Sequence, residues 1–408
     1  MNKFACLILF FPFVVFSQQH KINNNSVREV NLLWDLKDLS EKPAVKWIDR
    51  KSQVQSLLYS SVYYEGKPTE VFAYYSNPDL LKGKMGGNSK FPAVVLVHGG
   101  GGKAYKEWVE KWAAKGYAAI AMDLSGYDGV GRKLSQAGPD QDDSFKFAQI
   151  SKGDLKNVWT YHAISSVLLA HSLLLSFPEV DPVRTGITGI SWGGYLTCIA
   201  AGLDTRFKVA VPVYGCGFYD ESDVFGKTLE ALPAIDKKKW MQYFDPSVYL
   251  PYSRSKFLFV NGNKDSHYNV VPYHKTYLQV VKQRRTVCIK PDMLHSHAHG
   301  WEPEEIIHFF NQELRNSLPL TQIKGLKMAK RSITLLYNSP VMLTQADFYY
   351  SNDSSATNSS RIWLKQAVAI DAKRSTVTLV RPVGDFKYGF FYLKDNRNIS
   401  VSSDFIIN

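Results

Sequence analysis

The residues best suited to chemistry in this chain lie at positions 189–194, which read Gly-Ile-Ser-Trp-Gly-Gly. They follow a short apolar run and precede a segment of helical character, so Ser191 falls at a strand-to-helix junction. A serine in a G-x-S-x-G turn adopts a strained backbone that only small residues two positions before and after tolerate. Gly189 and Gly193 occupy both positions. The pattern predicts that Ser191 is a nucleophile, and an ordinary glycine-rich turn is the alternative.

Groups that a nucleophilic serine requires occur elsewhere in the chain. The hydroxyl needs a base, the base needs an orienting carboxylate, and the anionic tetrahedral oxygen needs N–H donors. Asp265 follows an apolar run, and residues 295–299, which read His-Ser-His-Ala-His, follow the next one. Residues 98–102 read His-Gly-Gly-Gly-Gly and can present free backbone N–H groups. The chain order Ser, Asp, His is the one used by α/β-hydrolases.

The elements that must position these residues are visible in the hydrophobic pattern. Continuous apolar runs, typical of strands buried on both faces of a parallel sheet, alternate with segments of helical spacing. This alternation predicts an α/β fold with a doubly wound, mostly parallel sheet. The stretch 218–252, punctuated by three prolines, reads as a helical excursion that covers the site. Predicted strands lie at 91–97, 117–122, 184–190, 208–214, 257–260 and 286–290; predicted helices lie at 107–115, 154–176, 195–202, 272–283 and 301–314.

Four short segments together carry a family resemblance. The chain resembles exported α/β-hydrolases of the acetyl xylan esterase, cephalosporin-C deacetylase and dienelactone hydrolase kind, over about residues 60–318. The resemblance implies the α/β-hydrolase fold, with Ser191 as nucleophile, Asp265 as acid and a histidine of the last loop as base. The segments are His-Gly-Gly-Gly-Gly at 98–102, Gly-Ile-Ser-Trp-Gly-Gly at 189–194, Asn-Gly-Asn-Lys-Asp at 261–265 and Ser-His at 296–297.

The choice of base and of oxyanion donors depends on this resemblance. Related proteins often have glycine before the catalytic histidine, whereas Ser296 precedes His297 here. We predict His297 as the base, with His295 as the alternative base. The resemblance also implies an oxyanion hole formed by the N–H of Trp192 and an N–H of the glycine loop. We take Gly100 as that second donor, and the choice among residues 99–101 stays open.

The region after about residue 318 has a different character. From residue 332 onward the helical period is absent, and short alternating apolar segments are separated by Asn, Asp, Ser and Gly. This pattern is typical of a small all-β module. We therefore expect a signal peptide at 1–17, an α/β-hydrolase domain at 18–318, and a small C-terminal all-β, sandwich-like domain at 319–408.

Composition narrows the classes of partner. A hydrophobic content of 45% and a charged content of 21% are those of a globular protein and exclude a disordered or fibrous chain. The net charge of +12 favours anionic partners in general. That charge is spread along the chain; its longest cluster, residues 237–239, reads as a solvated face, and no nucleic-acid motif accompanies it. We predict no nucleic-acid partner.

The first residues indicate export. Lys3 precedes an apolar run at 5–16, and Val15-Phe16-Ser17 forms an acceptable cleavage site. The run is shorter than the ~20 residues that a membrane span needs, so we expect a secreted or periplasmic protein with no membrane contact after cleavage. Cleavage would remove Cys6 and leave three cysteines, which are too few, and odd in number, for a disulfide framework. They are Cys198, Cys216 and Cys288.

These inferences predict a serine hydrolase that cleaves carboxylic esters, such as acetyl esters of a carbohydrate, through an acyl-enzyme and without a metal or organic cofactor. A serine peptidase of the prolyl-oligopeptidase type is one alternative, although this chain is short for such an enzyme's propeller. A non-catalytic glycan-binding protein, with the C-terminal region contacting glycan, is another. A zinc site at His295, His297 and His299 is a further rival because alternating residues share one face of an extended backbone. Zinc would leave the serine turn and the glycine loop unexplained.

Overall fold

The computed structural model describes residues 33–84, 89–354, 357–380 and 386–408. The predicted signal segment at 1–17 lies outside these ranges. Within them, no helix combines the length and the apolar character needed to cross a bilayer.

The centre of the molecule is a twisted sheet whose first nine strands run in the order β1-β2-β3-β5-β4-β6-β7-β8-β9. The six strands from β5 to β9 in this order are parallel, and β1, β2 and β3 extend the sheet in antiparallel fashion. The strands are β1 (Val45–Asp49), β2 (Gln55–Tyr64), β3 (Lys67–Ser76), β4 (Phe91–Val97), β5 (Ala118–Met122), β6 (Val180–Ile190), β7 (Val209–Val213), β8 (Lys256–Gly262) and β9 (Arg285–Lys290).

Helices connect these strands. They are α1 (Pro78–Leu81), α2 (Lys106–Ala114), α3 (Asp143–Lys146), α4 (Trp159–Leu175), α5 (Trp192–Leu203), α6 (Phe225–Glu230), α7 (Ala234–Phe244), α8 (Val270–Leu278), α9 (His297–Trp301) and α10 (Glu304–Arg315). Short 3-10 helices lie at Asp38–Ser40, Ala148–Lys152, Leu155–Asn157, Tyr219–Glu221, Pro246–Val248, Leu250–Tyr252 and Lys282–Arg284.

The helices cover both faces of the sheet, which confirms the predicted doubly wound architecture. Helices α4 and α5 pack against each other and against β4 and β6. Helices α2 and α10 meet through Trp112 and Phe310, whose ring centres are 4.7 Å apart. Every residue of β5 and of β7 is buried, as expected for strands that read as continuous apolar runs.

The C-terminal region is rich in strands, as predicted, and these strands form two sheets. One sheet has the order β10-β11-β15-β14. The other strands continue the central sheet, because β17 pairs antiparallel with β9 at Ser402 and Val287. The strands are β10 (Gln322–Met328), β11 (Ser332–Asn338), β12 (Leu343–Ser351), β13 (Leu364–Ala367), β14 (Ala369–Asp371), β15 (Thr376–Val380), β16 (Tyr388–Asp395), β17 (Ser400–Ser402) and β18 (Ile406–Ile407).

Candidate active site

Ser191 lies in a tight turn between β6 and α5. Its backbone has φ 59° and ψ −117°, a conformation that L-residues rarely adopt. A Cβ atom added at Gly189 would lie 2.2 Å from the Gly193 carbonyl oxygen, and one added at Gly193 would lie 2.0 Å from the Val97 carbonyl oxygen. Only glycine fits at either position. The turn therefore holds the Ser191 side chain at the carboxyl edge of the sheet.

A chain of hydrogen bonds joins three predicted residues. His295 Nε2 lies 2.9 Å from Ser191 Oγ, and His295 Nδ1 lies 2.9 Å from Asp265 Oδ2. Asp265 is fully buried, and its other oxygen accepts hydrogen bonds from the backbone N–H groups of His267 and Tyr268. We assign the proton of neutral His295 to Nδ1, because the carboxylate only accepts hydrogen bonds. Nε2 then remains free to accept the proton of the serine hydroxyl.

The structure places the predicted base, His297, elsewhere, and it is the alternative, His295, that contacts Ser191. His297 Nε2 accepts the backbone N–H of Gly99 at 2.9 Å. Burial, together with the neighbouring His98 and His295, lowers the pKa of His297 to about 4, so the ring is a neutral acceptor. The two histidines have different partners because helix α9 begins at His297, with the Ser296 side chain capping its first turn.

Two further side chains hold the glycine loop that follows β4. His98 Nδ1 donates to the Gly99 carbonyl oxygen at 2.7 Å, and His98 Nε2 accepts the Leu124 N–H at 2.9 Å. Burial lowers the pKa of His98, which keeps that ring neutral. Gln141 Oε1 accepts the Gly101 N–H at 3.2 Å. The sequence predicted neither role, because nothing in the local pattern indicates the partners of His98 and Gln141.

Two backbone N–H groups beside Ser191 remain available. In the described part of the chain, the N–H groups of Trp192 and Gly100 donate to no protein acceptor. The Gly99 N–H, in contrast, is used by His297. A Cβ atom added at Gly100 would lie 2.9 Å from Trp192 Cδ1, so the two residues are neighbours. This arrangement is compatible with the predicted oxyanion donors, Trp192 and Gly100.

Aromatic side chains cover the turn from the side of the helical excursion. The Trp192 ring lies 5.4 Å from the ring of Tyr219 and 5.1 Å from that of Phe225, measured between ring centres. The Tyr219 hydroxyl lies 2.9 Å from that of Tyr268, whose ring centre lies 5.9 Å from that of His295. The excursion therefore packs against the start of the helix that follows Ser191.

The three alternating histidines do not form a common ligand set. His297 binds the Gly99 N–H, and His299 Nδ1 pairs with the Ser296 hydroxyl. The group in the described residues whose ligand atoms lie within 4.8 Å of one another is instead Asp265, His267 and His295. A cation bound by all three would compete with the hydrogen bonds that His295 makes to Asp265 and Ser191.

An open depression of about 320 Å³ lies beside the glycine loop. Gln141 links the depression to the glycine loop, because it lines the depression and also accepts the Gly101 N–H. Most of the lining side chains are polar and include hydrogen-bond acceptors: Asp123, Ser125, Tyr127, Asp128, Asp140 and Asp142.

Known proteins share parts of this architecture. A family model described as acetyl xylan esterase (AXE1) matches residues 27–220, a span that includes Ser191 and ends before Asp265. The acetyl xylan esterase from Paenibacillus sp. R4 superimposes with a TM-score of 0.54 at 21% identity, covering 70% of this chain and 95% of that one. Acetyl xylan esterase 1 from Thermoanaerobacterium sp. JW/SL YS485 gives 0.50 at 18% identity, covering 67% and 94%.

A curated relative matches a shorter stretch. The uncharacterized peptidase YuxL of Bacillus subtilis (strain 168) is 29% identical over 138 residues, which are 31% of this chain. The chain spans only 18% of the length of that relative.

The sheet order, the serine turn and these matches place the chain in the α/β-hydrolase superfamily, as predicted. Within that superfamily it resembles the acetyl xylan esterases, and the family match supports an enzyme of the serine hydrolase type.

Proposed function

We propose that this protein is a serine carboxylesterase that removes small acyl groups, such as acetyl, from a carbohydrate. The observation that carries the proposal is the continuous hydrogen-bond chain from Asp265 through His295 to Ser191, with both links at 2.9 Å. A hydroxyl in such a chain is activated as a nucleophile. The match to the acetyl xylan esterase model supports an ester as the substrate.

The proposed reaction uses groups of this chain at each step. Ser191 Oγ attacks the ester carbonyl carbon while His295 Nε2 takes the hydroxyl proton, and the Asp265 carboxylate stabilises the resulting imidazolium. The N–H groups of Trp192 and Gly100 donate to the tetrahedral oxyanion. Collapse breaks the ester C–O bond, and the departing alcohol takes the proton from His295. Water, deprotonated by His295, then hydrolyses the acyl-enzyme and frees Ser191.

The depression beside the glycine loop supports a carbohydrate as the alcohol part. Its lining is polar, and carboxylates such as Asp128 and Asp140, which already pair with Arg132 and Lys133, retain further lone pairs that can accept hydrogen bonds from sugar hydroxyls. The depression adjoins the glycine loop at Gly101 and Gly102, next to the proposed oxyanion donor Gly100.

The test is labelling with a fluorophosphonate followed by intact mass measurement. We expect one adduct, on Ser191, and no adduct in Ser191→Ala, whose hydrolysis of an acetyl ester falls by about 10⁴-fold or more. Ser266→Ala, a change in the loop that follows Asp265, is the control and should keep the adduct. Absence of an adduct on Ser191, or full activity in Ser191→Ala, would overturn the proposal.

A serine peptidase is the second candidate, supported by the match to the peptidase YuxL. Parallel assays of an acetyl ester and a peptidyl amide separate the two. We expect ester hydrolysis to dominate, and faster cleavage of the amide would assign the site to a peptidase.

We also propose that the chain is exported, on the basis of its charged and apolar first 17 residues. Expression in a Gram-negative host should yield a periplasmic protein whose measured mass corresponds to a chain that begins at Gln18. Recovery of a cytoplasmic protein that retains Lys3 would contradict export.

A further inference from the structure

A second groove lies at the opposite edge of the central sheet from Ser191. Its volume is about 540 Å³, and it is lined by the first residues of β8 and β9 together with β10 and the end of α10. Strand β8 separates it from the Asp265 loop by about 20 Å, at roughly 3.3 Å per residue. The groove is therefore distinct from the proposed esterase site.

Positive charge dominates the lining. Two acidic residues, Glu313 and Asp404, are outnumbered by cations, and Asp404 is already paired with Arg285 at 2.9 Å. In the described part of the chain the other lining cations form no ion pair; for example, Lys282 Nζ donates to the Lys324 carbonyl oxygen. A carbonyl acceptor leaves the charge uncompensated. The lining cations are Lys256, Lys282, Arg284, Arg285 and Lys324.

The remaining lining groups favour a polar ligand without aromatic rings. Three amide side chains, Gln283, Gln312 and Gln322, line the groove and can bond to hydroxyl groups with the donors and lone pairs that their partners leave open. Gln312 already pairs with Glu313, and Gln322 with Lys324. The aromatic side chain among the described lining residues is Phe309, which is buried. Single-stranded nucleic acid is held by exposed aromatic rings on which bases stack, and the groove presents none among these residues.

The outer edge of β10 borders the groove, yet its geometry disfavours an added peptide strand. The register of β10 against β11 shifts between Ile323 and Gly325, and such irregularities protect sheet edges from further pairing. Lys282 also occupies the Lys324 carbonyl oxygen. Side-chain charge therefore determines what this groove can hold.

We propose that this groove binds a carboxylate-bearing glycan, such as an oligomer of uronic acid residues. Lysine and arginine side chains pair with the carboxylates, and the amide side chains bond to the sugar hydroxyls. The proposal does not depend on the proposed function, because it concerns binding at a separate site.

The test measures binding of an unesterified oligogalacturonate to the full chain by calorimetry at low salt, with a neutral xylo-oligosaccharide for comparison. The variant Lys282→Glu/Lys324→Glu should weaken oligogalacturonate binding at least about tenfold, and added salt should weaken binding to the wild type. Lys237→Glu/Lys238→Glu, which changes net charge equally on helix α7, is the matched control and should bind normally. To exclude misfolding as the cause of weaker binding, Lys282→Gln/Lys324→Gln, which removes the two charges without reversing them, is measured in the same way and its melting temperature is recorded.

Three outcomes would overturn the proposal. Equal loss in both double variants would indicate attraction to net charge alone. Equal binding of the neutral oligosaccharide would exclude recognition of carboxylates, and tighter binding of single-stranded DNA at the same residues would assign the groove to nucleic acid. Hydrolysis of a small soluble ester should stay unchanged in the groove variants, which separates this result from failure of the proposed esterase activity.

Discussion

The two ends of the parallel strands, at opposite edges of the sheet, differ in the interactions on which they depend. At the carboxyl edge, Ser191, Asp265 and His295 are linked by 2.9 Å hydrogen bonds, and Asp265 has no solvent exposure. At the amino edge, Lys256 and Arg285 begin β8 and β9 and line an open basic groove. Short distances around a fully buried carboxylate make the first edge sensitive to single atoms. The second edge depends on summed charge, so its response to mutation should be graded and salt-dependent.

The largest expected effect tests the atomic sensitivity of the carboxyl edge. Asp265→Asn should lower kcat for an acetyl ester by about 10⁴-fold, because an amide neither stabilises the His295 imidazolium nor fixes its tautomer. Asp292→Asn, at an exposed carboxylate paired with Lys264, is the control and should leave kcat unchanged. Retention of most of the activity in Asp265→Asn would show that catalysis does not depend on this carboxylate.

Buried histidines should make the same edge sensitive to acid. His162, which lines a small pocket with Asp123 and Leu124 at the end of β5, has its pKa lowered to about 4 by burial. The unfolded chain binds this proton near pH 6.5, so the free energy of unfolding falls as the pH drops from about 6.5 to about 4. The loss from His162 approaches about 3 kcal/mol.

Urea unfolding between about pH 7.5 and pH 4.5 measures this loss. His162→Gln should show a shallower decline than the wild type, and His308→Gln, at a partly exposed histidine, serves as the control. An unchanged decline in His162→Gln would remove His162 as its source.

The two neighbouring histidines, His295 and His297, should differ in how much each contributes to kcat. His297→Ala removes the acceptor of the Gly99 N–H and should lower kcat about 10- to 100-fold, since the loop that carries Gly100 loses its anchor. His297→Gln, which retains an acceptor, should recover most of kcat. His295→Ala should cost about 10⁴-fold. If His297→Ala were as damaging as His295→Ala, with no recovery in His297→Gln, His297 would be the base.

The smallest effect concerns a contact between the C-terminal region and the loop that carries Asp265, here called the acid loop. Buried Asn358 donates from Nδ2 to the Asp265 carbonyl oxygen at 2.9 Å. Asn358→Ala should lower kcat about threefold to tenfold and the free energy of unfolding by about 1–2 kcal/mol. Asn352→Ala, at an exposed residue of the same loop, is the control. Equal kcat in both variants would show that the acid loop holds itself in place.

The fold and part of the site follow from local patterns. Continuous apolar runs specified the parallel strands, and the glycines around Ser191 specified the turn, because both signals lie within a few residues. The base could not be chosen this way, since the start of α9 at His297 changes the direction of neighbouring side chains. The contact between Gly99 and His297 joins residues 198 positions apart. No local pattern carries such a pairing.

The junction between β17 and β9 has a consequence for the behaviour of shortened chains. Ser402 pairs with Val287, and its hydroxyl accepts the Ile289 N–H, so the last strand of the parallel sheet is covered. A chain cut before β10 would leave that row of donors and acceptors open to solvent. Exposed strand edges recruit other copies, so we expect such a shortened chain to self-associate more readily than the full chain.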